Sequence, residues 1–237
     1  MPGFKYAVLV GMAGLFLLGC SGEEDDSREI KVSPITVPDS QKSKESGSVK
    51  ETYLQAVLEA RASGRDCGHY EKDDDGNYVL DENGSRITIR DGSSEDWFPK
   101  VENDALAWND ELYLAAYEHS QDMPSMGKDV THEGSGGPTD HTAEVNHPGE
   151  PSTFDERVKT NGYTYALLFE NLTVGTDTDT PEKAVDAWLN SAGHCKDLMN
   201  QEVTDMGMSH VEVPESHYIH YWTLELAKPA TEPSGIY

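Results

Sequence analysis

Residues Thr180–Asn200 read TPEKAVDAWLNSAGHCKDLMN, and the first half of that stretch specifies a helix. Thr180 is a capping residue. Pro181 takes the first helical position, where its missing N–H costs nothing, and Gly193 is the expected stop. Val185, Trp188 and Leu189 recur at helical spacing and form a buried face. Beyond them comes a corner of small residues carrying His194 and Cys195. The corner poses a question: are its His and Cys packing, catalysis or binding?

The flanking segments supply elements for that helix to pack against. Downstream, MGMSHVEV and HYIHYWTLELA flank the turn PES and predict an antiparallel hairpin. Tyr218, His220, Trp222, Leu224 and Leu226 share one face of its second strand. Upstream, ENLTVG is a strand or extended segment, and STFDERVKTNG is a short helix ending at Gly162. WNDELYLAAYEHSQDM is a longer helix that Asn109 can cap. Asp110 and Glu111 sit in its first turn, where the helix dipole favours acids. Leu112, Ala116, His119 and Met123 lie on one face. A loop rich in Gly, Pro and His then runs to Pro151.

Earlier still, Ser48 and Glu51 fit a capping box. Val49, Tyr53 and Val57, with Leu54 and Leu58, repeat at helical spacing, and Gly64 is the stop. Residues 66–100 are an irregular acidic insert. Within it NYVLDENGSRITI reads as a hairpin about Asn83-Gly84. Residues 20–47 lack helical or strand periodicity and read as a disordered acidic tether. Residues 48–228 form the domain, and 229–237 are a tail.

Composition narrows the function. The chain has 237 residues, 36% of them hydrophobic, and a formal net charge of −26. That predicts one globular domain of about 170–190 residues. A chain this acidic, without a basic run, is not built for nucleic acid or for peripheral binding to anionic lipid. The start, MPGFKYAVLVGMAGLFLLGC, carries an apolar run from Tyr6 to Gly19, too short to span a bilayer and suited to a signal peptide. Its end, LLGC, resembles a bacterial lipobox. That resemblance implies a signal peptide over 1–19 and lipidation of Cys20 as the first mature residue. By similarity to known lipoproteins, Ser21 after it favours the outer membrane. Export leaves Cys67 and Cys195, which most simply form one disulfide. It would close a loop of more than 120 residues, stabilising by up to about 4–5 kcal/mol in the chain-entropy model.

Taken in order, LAWNDELYLAAYEHSQDM, THEGS, ERVKTNGYTY, FENLTVG, TPEKAVDAWLNSAGHCKDLMN, MGMS and YWTLELA closely resemble the bacterial branch of the CAP superfamily, also called SCP-domain proteins. The resemblance covers roughly residues 49–228. It implies an α+β fold, an α-β-α sandwich with a central antiparallel sheet between helical layers. It also implies an open cavity lined by two His and acidic residues. Carried over by motif, these are His132 in THEGS, Glu170 in ENL and His194 in SAGHC. The second acid that many eukaryotic members place just before the last His is missing, because that region reads Trp188, Leu189, Asn190, Ser191. Phe169 stands where a small Gly is usual. The loop after His132 is long, and its His141 and His147 compete for the role given to His132. A Cys near the start and one after the corner His recur together in some bacterial members, in line with a Cys67–Cys195 bridge.

Two imidazoles and a carboxylate can hold Zn²⁺ or another divalent metal with an open fourth position, and such a site can activate water. They can equally form a metal-free polar floor, with the Glu raising the pKa of a neighbouring His and fixing its tautomer. EKDDDGNYVLDE offers a weak Ca²⁺ loop through Glu71, Asp73, Asp75 and Glu82, although its first ligand is Glu and no helices flank it. HEGSG lacks the second His of a zinc-protease motif, and there is no G-x-S-x-G elbow. Three functions stand against one another. The first is a surface-anchored, monomeric binding module for a lipid, sterol-like or other small hydrophobic ligand, or for an envelope or host protein. The second is a metal-dependent hydrolase using His132, Glu170 and His194. The third is a structural envelope lipoprotein. The absence of a catalytic motif favours the first.

Overall fold

The structure is a computed structural model that describes residues 29–68, 70–82, 86–87, 97–101 and 106–230. In chain order come α1 (Asp39–Lys44), α2 (Gly47–Arg61), β1 (Arg65–Asp66), β2 (Trp97–Phe98), β3 (Ala107–Trp108) and α3 (Asp110–Asp122), which runs into a 3-10 turn at Met123–Met126. Then follow α4 (His141–Asn146), α5 (Phe154–Thr160), β4 (Tyr165–Gly175), α6 (Pro181–Leu189), α7 (Ala192–Leu198), β5 (Asp205–Val213) and β6 (Ile219–Pro229).

The main sheet has the order β3-β5-β6-β4. β6 is central and antiparallel to both β4 and β5. It is buried on both faces, which is why nearly every residue from His220 to Ala227 is inaccessible whatever its parity. Trp222, Leu224 and Leu226 join Trp188, Leu198, Met206 and Met208 in the larger core, under α2, α6 and α7. Ala227 packs on the other face with Leu112 and Ala115 of α3 and Val158 of α5. This is the expected α-β-α sandwich. α3 comes so close to β5 that a Cβ on Gly207 would lie 2.1 Å from the Tyr113 nitrogen, so only glycine fits.

Local signals place most helix starts. Asn109 accepts from the Leu112 N–H at 2.9 Å. Thr153 and Glu156 close a full capping box on α5. Thr180 caps α6, with Pro181 in its first turn.

Five expectations change. The edge pair β3–β5 is parallel, so the sheet is mixed rather than wholly antiparallel. α2 begins at Gly47 after Ser46, and the Ser48 capping box does not form; the Ser46 and Ser48 hydroxyls face each other at 3.2 Å. α6 ends at Leu189, and Gly193 is not a stop but lies inside α7. α7 is fixed by tertiary contacts: Arg61 donates to the Leu198 carbonyl at 2.6 Å, and Cys195 is bonded to Cys67. The domain also runs past residue 228, because β6 continues to Pro229 and the Ala230 N–H reaches the Thr164 carbonyl at 3.1 Å.

The fifth change concerns the tether. Its residues 29–47 lie along the domain as a strap. The Lys31 and Ile35 amides donate to the Asn146 and Asn161 side chains, and the Ser33 amide to the Thr160 carbonyl. Val37 packs with Tyr113 and Tyr117. Glu45 is the latch: its carboxylate accepts from the Tyr113 hydroxyl at 2.7 Å, the Ser209 hydroxyl at 3.2 Å and the His210 amide at 2.6 Å. A segment held by hydrogen bonds to distant partners needs no hydrophobic period. In the insert, Leu80 pairs antiparallel with Arg86. The Asn83-Gly84 turn, the signal peptide, Cys20 and residues 231–237 lie outside the described residues.

Replacing Glu45 with Ala leaves the Tyr113 and Ser209 hydroxyls and the His210 amide without this acceptor, and removes the longer contact with the Tyr53 hydroxyl. We expect a loss of about 1–3 kcal/mol and early loss of amide exchange protection at residues 31–37. Unchanged protection there would show that Glu45 is not the latch.

Candidate functional site

Glu170 lies on β4, directly across from Glu225 on β6. The Glu170 side chain is fully buried, and both its oxygens are occupied. Oε2 accepts from Arg157 Nη2 at 2.7 Å, and Oε1 meets His132 Nδ1 at 2.9 Å. The capping box starts α5 at a position that brings Arg157 beneath the sheet. Arg157 Nη2 also donates to the His132 carbonyl at 2.8 Å, so one guanidinium holds both the acid and the backbone of its imidazole partner. From α3, the buried His119 donates through Nε2 to the Thr131 carbonyl at 2.9 Å. The residue before His132 is thereby fixed as well.

His132 is half exposed and His194 projects from α7. Both line a cavity of about 400 Å³. Val130, Leu172, Val174 and Tyr218 form apolar parts of its wall, and Lys128 adds a cation. Asn171, next to Glu170 but on the opposite face, donates to the His194 carbonyl at 3.0 Å and holds the corner. A larger cleft of about 540 Å³ opens between the strap and α3, lined by Val37, Lys42, Lys50 and Tyr113. It contains neither imidazole. Perturbed titratable groups converge on the smaller cavity, which makes it the candidate site.

The two cavity imidazoles are biased in opposite directions. The hydrogen bond to Glu170 raises the His132 pKa. Burial, helped by the His132 charge, lowers that of His194. Burial alone would push the Glu170 carboxyl up, but Arg157, His119 and the His132 bond together outweigh it and hold it well below the usual range. His119 is pushed down to about 4, chiefly by burial, and stands neutral. Asp197, one turn after His194, is pushed up to about 6 by burial while the His132 charge pulls it down.

Of the residues singled out from sequence, the fold brings His132, Glu170 and His194 into one region, with Glu170 behind His132 rather than in the cavity wall. Among the described residues, no group of three or more His, Cys, Asp and Glu side chains is placed to hold a metal ion. With both Glu170 oxygens engaged, the three do not fit a His-Glu-His zinc set. His141 and His147 are occupied elsewhere. His141 donates to the Ser33 carbonyl of the strap at 2.6 Å, and His147 meets Glu156 at 3.2 Å. Cys195 is in the disulfide and Trp188 is core. In the insert, Asp73 accepts from the Asp75 and Asn77 amides. It therefore caps a tight turn, while Glu71, Asp75 and Glu82 are exposed.

Sequence reading missed Arg157, His119, Asp197 and Glu225. Glu225 left a signal: TLELA puts an acid inside an apolar strand, at the parity opposite to Trp222 and Leu224. His119 left one too, an imidazole on the face of its helix shared with Leu112, Ala116 and Met123; Arg157 and Asp197 left none, because their importance comes from partners on other elements.

A protein-family model described as CAP: Cysteine-rich secretory protein family matches residues 99–226, more than half of the chain. The uncharacterized protein YkwD of Bacillus subtilis (strain 168) is 40% identical over 65 residues, which is 27% of this chain and 24% of that protein. The match thus spans about a quarter of the curated relative's length. Among solved structures, an outer surface protein from Borrelia burgdorferi is similar at 20% identity and a TM-score of 0.40, over 53% of this chain and 78% of that one. An extracellular protein containing a SCP domain from Bacillus anthracis str. Ames is similar at 17% identity and a TM-score of 0.44, over 83% of this chain and 45% of that one.

Two outcomes follow from the geometry. Glu170→Gln leaves Arg157 buried without a counter-ion, a deficit of about 3–5 kcal/mol at pH 7, and NMR titration of His132 should show its pKa falling toward the ordinary value. The Glu170 pKa is depressed in the fold, so its contribution is full above the unfolded carboxylate pKa and is lost as pH falls. The deficit of Glu170→Gln should therefore narrow between about pH 4 and pH 2; a constant deficit would mean the acid is not ion-paired. In a zinc titration followed by native mass spectrometry, any bound ion should survive Glu170→Gln and disappear with His132→Ala plus His194→Ala. Zinc uptake that depends on Glu170 would contradict the hydrogen-bonding described above.

Proposed function

This chain belongs to the cysteine-rich secretory protein (CAP) family, and from that premise we propose that it is an exported, lipid-anchored binding module. Its cavity takes an amphiphile with an apolar body and an acidic head. Export is supported by the buried Cys67–Cys195 disulfide, a bond that persists in oxidising compartments, and by the apolar run from Tyr6 to Gly19 just before Cys20. The observation that carries the ligand class is the shared lining of one cavity: His132 and Lys128 beside Val130, Leu172, Val174 and Tyr218. His132, biased toward its charged form, donates to an anionic head, and Lys128 adds a second charge. His194, biased toward the neutral form, can donate or accept. The apolar wall covers the ligand's body.

Binding is favoured over hydrolysis because the groups that would do chemistry are already engaged. Cys195 is bonded to Cys67, and Glu170 is held by Arg157 and His132. An acid used in this way orients its imidazole and is not free to activate water.

The test is equilibrium binding of a fluorescent long-chain fatty acid, with its methyl ester as the uncharged control. The acid should bind saturably, and His132→Ala should weaken it about tenfold, the worth of one charge-assisted hydrogen bond. Because the His132 pKa is raised in the fold, affinity should be full where the ligand's carboxyl is ionised and His132 is still charged, and should fall as pH rises through the His132 pKa. Equal binding of acid and ester, unaffected by His132→Ala, would sink the proposal.

A further inference from the structure

Glu225 is a fully buried acid with neither oxygen paired to an N–H or O–H donor among the described residues. Its polar neighbour is Glu170, directly across the β4–β6 pair. Two ionised carboxylates repel each other, and two carboxyl groups can share a hydrogen bond only if one holds a proton. Glu170 is the one that must stay ionised, because Arg157 and His132 bond to its two oxygens. We propose that Glu225 is a neutral carboxylic acid in the folded protein, that it donates its proton to Glu170, and that it thereby acts as a positioning residue for the cavity imidazole His132. This rests on the cavity reading above.

The surroundings agree from every packed element. From α5, Arg157 is the cation of the cluster, and Glu170 on β4 already takes its charge. From α3 come Glu118 and His119. Glu118 is buried and receives the Thr142 amide at 2.6 Å and the Asn161 side chain at 2.8 Å, and His119 is neutral. Ionising Glu225 would set a further negative charge beside Glu170 with no added cation. Burial, then the Glu170 charge, raises the Glu225 pKa well above the ordinary range. The chain Glu225–Glu170–His132 thus passes from the sheet interior to the cavity wall. In it, Glu225 completes the bonding of Glu170 without altering its charge.

The linkage has a definite sign. A carboxyl whose pKa is raised in the fold carries no penalty below its unfolded pKa, and stability is lost as pH rises toward the folded value. Glu225→Gln keeps the shape and a donor and removes the titration.

The experiment uses the full chain in detergent and combines infrared spectroscopy with NMR titration of His132. At pH 7 the wild type should show a protonated-carboxyl stretch that Glu225→Gln lacks. The His132 pKa should move by less than about half a unit in that variant, since no charge is removed. Its stability should no longer decline as pH rises from the ordinary carboxylate range toward neutral. The idea is overturned if the wild type shows no such band, or if Glu225→Gln lowers the His132 pKa by about a unit or more, as loss of a nearby negative charge would. If Glu225→Gln does not fold, Glu118→Gln and Glu45→Gln decide, because burial raises the pKa of both acids: the band survives in both variants if the proton belongs to Glu225, and disappears in one of them if it belongs to that residue. No readout involves a ligand, so failure here is separable from failure of the proposed function.

Discussion

Arg157 and Glu170 meet at 2.7 Å in the interior, with side chains 1% and 0% exposed. Such a pair is a poor source of net stability, because desolvation offsets most of the attraction, but it is a strict geometric constraint, since neither partner tolerates losing the other. It ties α5 to β4. Through the His132 carbonyl and Nδ1 it also ties down the loop that carries the imidazole. The cavity has its shape because this pair and its hydrogen bonds fix the loop 128–132 against the sheet edge.

Around that constraint the sandwich divides its work. The face under α2, α6 and α7 is apolar, closed by Trp188, Trp222 and the Cys67–Cys195 bond. The opposite face, under α3 and α5, mixes a small apolar cluster with Glu118, His119, Arg157, Glu170 and Glu225. β6 serves both because its alternation sends Trp222 and Leu224 one way and Thr223 and Glu225 the other. The cavity sits at the β4 edge, where the polar layer meets α7, so one imidazole is governed by the buried acid and the other chiefly by burial.

The strap applies the same logic at the surface. Residues 31–45 bring one buried aliphatic side chain, Val37, to the domain. They are held because Asn146, Asn161, Tyr113, Ser209 and the His210 amide all present hydrogen-bonding groups along one path. Glu45 can be buried since its oxygens are satisfied by several donors. A composition that reads as linker is therefore compatible with ordered docking when the receiving surface supplies the partners.

The sequence by itself determined what depends on near neighbours. Asn109, Thr153 with Glu156, and Thr180 with Pro181 mark helix starts because a cap acts over three or four residues. The β5–β6 hairpin is legible because its turn and strands are contiguous. The order of short motifs carried the family, and with it His132, Glu170 and His194. Only the tertiary structure decided what depends on distant partners: the continuation of α7 through Gly193, the parallel β3 edge, the docking of the strap, and the recruitment of Arg157, His119, Asp197 and Glu225. Those residues owe their state to burial and to charges brought from other elements. Burial is a property of the assembled layers and has no signature in any one segment.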